Sequence, residues 1–171
     1  MSASPSSIAG RAAELRLAFD RGFAEPVGLG AETREALLAV RIDTQPFAIR
    51  FSEISGLFAD KKVTPVPGSH AALRGIAGFR GAIVPVYDLQ LLLGHAAPSG
   101  TATPRWLVIA AAAPVALAFT AYEQQIRAAP DAIMPQPSGA QARGYTREFV
   151  RTRKFSGPLL HLPSVLEAIK A

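Results

Sequence analysis

The stretch Gly75-Ile76-Ala77-Gly78-Phe79-Arg80-Gly81-Ala82-Ile83-Val84-Pro85-Val86-Tyr87-Asp88-Leu89 decides how the rest of the chain is read. It is a glycine-spaced apolar run that carries one cation and closes with a strand ending at an acid. Glycines at 75, 78 and 81 suit neither a helix nor an ordinary strand interior, because each adds backbone entropy and leaves no side chain to pack. The spacing therefore predicts tight bends that leave Arg80 projecting. An arginine so placed is a rigid, permanently charged fork, suited to a carboxylate on a partner or on its own chain.

Downstream of this stretch, Asp88 is placed to cap a short helix over 89–93, and Gly94 to end it. Upstream, Val63-Thr64-Pro65-Val66-Pro67-Gly68 cannot form a central strand, since its prolines donate no ladder hydrogen bonds; it reads as an edge or an extended connection. Further upstream, Leu38, Val40 and Ile42, then Phe47, Ile49 and Phe51, alternate with other residues on either side of a turn at 43–46. That pattern predicts a hairpin with one buried face. Residues 52–58 continue apolar at Ile54 and Leu57. Beyond a Pro/Gly/Thr loop at 95–104, strands are expected over 105–112, 115–120 and 122–127, followed by a long loop over 130–144. A last hairpin is expected over 149–154 and 159–162, turning around Ser156-Gly157. Ser164 and Glu167 have capping-box spacing for a terminal helix. Many short strands with Gly/Pro turns and helices only at the ends predict an all-β barrel or sandwich.

At the other end, Ile8, Ala12, Leu15, Phe19 and Phe23 recur at spacings of four and three, one face of a helix over about 7–23. That face either docks on its own domain or offers Leu15, Phe19 and Phe23 to a partner. Gly22, Pro26, Gly28 and Gly30 mark a link behind it. The expected division is a helical extension and linker over 1–35 and a β domain over 36–171.

With 171 residues, 49% of them hydrophobic and 18% charged, the chain suits one domain or two small subdomains sharing a core. It contains no cysteine, which excludes disulfides and thiolate chemistry. No signal peptide and no membrane span are expected. His70, His95 and His161 are scattered without metal-ligand spacing. There is no GxSxG elbow and no GxxxxGK[ST] loop, and Glu53, Asp60, Asp88 and Glu123 fall in separate elements. No enzyme activity, cofactor or metal is expected. The net charge of +5 gathers in part at Arg143, Arg147, Arg151, Arg153 and Lys154. These read as a solvated face or, from another functional class, as the polyanion site of a small basic nucleic-acid-binding barrel; few aromatics accompany them, so nucleic acid is not the expected partner.

The residues from Leu38 to Gly94 resemble the CheW domain of bacterial chemotaxis coupling proteins. In that family an "ITPVP" segment precedes "G-x-x-N-L-R-G-x-x-x-P-V-x-D-L"; here VTPVP stands at 63–67 and GIAGFRGAIVPVYDL at 75–89. The resemblance implies two SH3-like five-stranded barrels sharing a core, with a short C-terminal helix; the N-terminal helix expected over about 7–23 lies beyond that family core. It implies a non-enzymatic cytoplasmic adaptor that joins the cytoplasmic tip of a chemoreceptor to a CheA-type histidine kinase, is recruited to receptor arrays, and has other CheW-like domains as further partners. By position it implies a receptor-side contact at Arg80, Phe79, Gly78, Gly56 and Ile54, framed by Gly75, Gly81, Pro85, Val86, Asp88 and Leu89. The sequence departs from the family at Gly78, where the motif has asparagine, at Gly56, where a glutamate usually faces the motif arginine, and at His161, where an Asp or Asn is common. Those departures frame a variant reading, an adaptor that binds only the receptor or only the kinase.

Overall fold

A computed structural model of the chain describes residues 33–68, 70–96, 104–136 and 144–170. The expected N-terminal helix, with Leu15, Phe19 and Phe23, lies outside them. Among the described residues, eleven strands fall into two sheets. The first sheet joins β1 (Glu35–Ile42), β2 (Gln45–Arg50), β8 (Ala121–Ala128), β9 (Ile133–Pro135), β10 (Thr146–Arg151) and β11 (Ser156–Leu160) in the order β8-β1-β2-β11-β10-β9. The second joins β3 (Ile54–Ala59), β4 (Leu73–Phe79), β5 (Ala82–Asp88), β6 (Trp106–Ala110) and β7 (Ala116–Phe119) in the order β3-β6-β7-β5-β4. Two short helices, α1 (Leu89–Leu92) and α2 (Leu162–Lys170), complete the fold.

Alternation along each strand builds three apolar clusters rather than one. Leu38, Val40, Ile42, Phe47 and Ile49 of the first sheet meet Val108, Leu117 and Phe119 of the second, with Leu89 and Leu92 of α1 and Leu162 and Val165 of α2. This is the core that the two sheets share. The opposite faces of the same strands fill each sheet's own interior: Leu37, Ala39 and Ala48 pack with Val150 and Leu159, while Ala77, Phe79, Val84 and Val86 pack with Leu107 and Ala118. The hairpin of β1 and β2 is thus buried on both faces, not on one, because its second face carries alanines that pack as closely as the larger residues opposite. Phe51 leaves the pattern; it opens a 3-10 turn over Phe51–Glu53 and is exposed.

Three local expectations are displaced. The first sheet has six strands, because Ile133–Pro135 adds to β10 within a stretch whose prolines mark it as loop. The last turn lies over 152–155, where the Thr152 hydroxyl accepts the Phe155 backbone N–H at 3.0 Å, a side-chain turn that needs no glycine. Ser156-Gly157 therefore opens β11, and a methyl group at Gly157 would stand 2.8 Å from the Pro46 carbonyl oxygen. Finally, α2 begins before Ser164. His161 precedes it, with its carbonyl accepting from Ser164 N–H at 3.1 Å and its Nδ1 2.7 Å from the Ser164 hydroxyl. Glu53 crosses from the 3-10 turn to accept the Leu162 backbone N–H at 2.8 Å, covering one of the free donors that every helix start leaves.

Candidate functional site: the β4–β5 hairpin and its groove

The glycine-spaced stretch folds as the β4–β5 hairpin, and its glycines do three different things. Gly75 has φ +146, and a methyl group there would lie 2.1 Å from the Thr64 carbonyl oxygen. The VTPVP segment approaches β4 that closely because Thr64 and Ile76 exchange backbone hydrogen bonds of 2.8 and 2.9 Å. Gly78 lies inside the strand, and a side chain there would meet nothing within 4 Å. Only Gly81 makes the bend. Arg80 and Gly81 are the two loop residues between the paired Phe79 and Ala82, with φ +47 and +84, the doubly positive turn whose twist suits a tight hairpin. The expected succession of bends is one turn, and Arg80 does project from it.

The frame residues hold this hairpin from below. Pro85 sits opposite Ile76; Ile76 turns its own backbone groups outward to Thr64, so the missing proline N–H costs no ladder bond there. Val86 and Leu89 are fully buried. Asp88 is 1% exposed and saturated: its Oδ1 accepts the N–H groups of Gln90 and Leu91 at 3.0 and 3.3 Å, capping α1, and its Oδ2 accepts Arg74 Nη1 at 2.8 Å. The Asp88 cap was legible in sequence. Its partner was not, because Arg74 lies fourteen residues upstream, across the hairpin.

Above the frame, Phe79 packs on Phe58 of β3 with ring centroids 4.9 Å apart, and the Lys61 ammonium stands 5.5 Å from each centroid. On one side of this pair opens a groove of about 430 Å3, walled by Ser55, Phe58, Phe79 and Arg80, floored by Val84 and Ile109, and rimmed by residues 110–114. Arg80 is exposed, and it forms no ion pair among the described residues.

The other expected contact residues divide. Phe79 is in the groove wall. Gly78 faces away, into a separate hollow shared with Thr64 and Ile83. Ile54 packs against the shared core. Gly56 pairs with Ile109, and a methyl group on it would lie 2.6 Å from Phe58 Cε2. The aromatic ring thus occupies the space that a side chain at 56 would need. Neither Phe58 nor Lys61 stands out as a site residue in the sequence; residues 59–62 read there as a polar break, and nothing signals that the Phe58 ring packs on Phe79 beneath the Lys61 ammonium.

The exposed Ile83, 74% accessible on the strand opposite Gly78, adds an apolar element to the same hairpin. Among the described residues no three His, Asp or Glu side chains gather as a metal site, and no helix is long and apolar enough to cross a membrane.

Two SH3-like β units around one core, with an arginine held out on a tight hairpin beside an apolar groove, define a fold of two paired, barrel-like sheets. The family model of the CheW-like domain matches residues 36–170. The chain belongs to this family of CheW-like chemotaxis scaffold domains. Its fold is similar to the crystal structure of scaffolding protein TtCheW from Thermoanaerobacter tengcongensis, with a TM-score of 0.69 at 17% identity over 78% of this chain and 93% of that one. Fifteen chains of solved structures match in all. No curated protein sequence matches.

Proposed function

We propose that the chain is a cytoplasmic adaptor that couples the cytoplasmic tip of a chemoreceptor to a CheA-type histidine kinase, with the groove beside Arg80 as the receptor-side contact. The observation that carries this reading is Arg80 itself, which occupies a turn conformation unfavourable to it and meets no carboxylate of its own among the described residues. A strained conformation kept at an exposed position is a reason to look for function there. The apolar groove supplies burial, and the guanidinium supplies direction toward an acidic group on the partner. The extension expected over 1–35 overlaps the fold at its end, because β1 already begins at Glu35. Pull-down and titration with a cognate kinase and with a receptor tip test the proposal; a folded protein that binds neither ends it.

A second reading follows from Phe58. Because its ring fills the space beside Gly56, no carboxylate at 56 orients Arg80 from within the chain. That favours an adaptor specialised for one partner. Measuring both affinities on one preparation separates the two readings, since the specialised form binds one partner and not the other.

A further inference from the structure

The second sheet does not close: its order begins at β3 and ends at β4, and no ladder joins these two strands. The Phe58–Phe79 pair stoppers this seam. The groove beside Arg80 lies at one end of the seam. At the other end opens a distinct cleft of about 540 Å3, within the range of small-molecule sites. Its floor is apolar, with Val63, Leu107 and Ala118 reaching it from the sheet's own interior cluster. Its walls carry four cations, Lys61, Lys62, Arg74 and Arg105, and a single carboxylate, Asp60.

That carboxylate is already engaged. Arg105 donates to both of its oxygens, at 2.7 and 2.8 Å, and these hydrogen bonds hold the Asp60 carboxyl below its ordinary value. Arg74 spends one nitrogen on Asp88 and keeps its other donors. Lys61 and Lys62 form no ion pair among the described residues. The seven residues that precede the cleft wall at Pro104 carry no charge in the sequence, so they bring no counter-ion. Positive charge is therefore in excess around a concave apolar floor.

We propose that this cleft binds a small organic anion, one that carries two negative charges of the carboxylate or phosphate class on an apolar body. The apolar body rests on Leu107 and Ala118, and the charged groups meet Lys62, Lys61 and the unspent guanidinium donors of Arg105 and Arg74. This goes beyond the adaptor reading and does not depend on it, since the ligand is small and the Arg80 groove is not used.

The test is a titration of the full chain, at constant ionic strength, with phenyl phosphate, phthalate and inorganic phosphate, followed by amide chemical shifts and calorimetry. Phenyl phosphate or phthalate should saturate, with shifts centred on Lys61, Lys62, Arg105 and Leu107; whichever is tighter assigns the anion class. Inorganic phosphate should bind about tenfold more weakly, lacking the apolar body. The double change Lys61→Ala, Lys62→Ala should weaken binding about tenfold. The control Arg151→Ala, Lys154→Ala removes as much charge elsewhere and should alter affinity less than about twofold. Absence of saturable binding, shifts centred outside the cleft, or equal weakening by the control pair would each overturn the proposal.

Discussion

Among the described residues, two hairpins turn through two residues each, and they treat their charges in opposite ways. Between β1 and β2 the turn is Asp43-Thr44, and the residue at positive φ is an aspartate, at +56. Aspartate tolerates that conformation well. The arginines of that hairpin are all tied in. Arg41 pairs with Glu123 and donates to the Thr44 carbonyl at 3.2 Å. Arg50, whose side chain is 18% exposed, donates to Glu35 and to Glu148, each at 2.7 Å. Burial draws the Arg50 guanidinium down, and the hydrogen bonds and charges of Glu148 and Glu35 outweigh it, leaving it above its ordinary value. Between β4 and β5 the positive φ falls instead on Arg80, a residue poorly suited to it, with no ion partner among the described residues. One hairpin is built inward, the other is held out. The contrast teaches that conformational fit was met where the turn serves the fold and set aside where the side chain has another use.

The largest expected effects break the support of the outward hairpin. Gly75→Ala would place a methyl group against the Thr64 carbonyl and force a residue with a side chain to φ +146, so it should cost about 3 kcal/mol, read by chemical denaturation. Loss of stability below about 1 kcal/mol would show that the VTPVP segment is not pressed against β4 as described. Next comes Asp88→Ala. It removes the one oxygen that accepts both capping N–H groups and strands Arg74, and should cost about 2 to 3 kcal/mol. Its companion Arg74→Ala should cost less than the sum of the separate roles implies when the two changes are combined, a coupling measured by a double-mutant cycle.

The inward hairpin gives the middle prediction. Arg50→Met keeps the apolar stem but leaves Glu35 and Glu148 facing each other, and should cost about 1 to 2 kcal/mol at neutral pH. Raising the ionic strength should recover part of that loss relative to the parent, because salt screens both the parent's ion pairs and the variant's repulsion. Thermal melts across a range of salt concentrations check it. A variant whose deficit stayed constant as the salt concentration rises would mean that packing, not charge, is what Arg50 contributes.

How far this contrast was legible in the sequence depends on the span of each interaction. Period-two alternation in β1 and β2, the caps at Asp88 and Gly94, and the proline-bound run at 63–67 are local and were readable in place. The second buried face of β1 and β2 was not, because Ala39 and Ala48 look neutral until their partners Val150 and Leu159 are brought across the sheet. The cap of α2 by Glu53 spans 109 residues, and nothing local to the 3-10 turn that carries Glu53 points to it. Arg80 itself was legible as an exposed cation. Its environment was not: the ring of Phe58, the ammonium of Lys61 and the seam between β3 and β4 exist only once the second sheet is folded.

The smallest expected effect on the fold carries the most information. If Arg80 braced its own hairpin, removing its side chain would cost stability. If it is held out for a partner, Arg80→Asn should do the reverse, because asparagine accepts φ +47 more readily and the lost guanidinium has no ion partner among the described residues. The expected change is a gain of up to about 1 kcal/mol. The same variant should lose about tenfold in affinity for the receptor partner, the scale of one charge-assisted contact, with kinase binding unchanged. Arg80→Lys should keep the charge but not the fork, and recover only part of the affinity. A destabilised Arg80→Asn with intact partner binding would erase the difference between the two hairpins and make both turns parts of the fold alone.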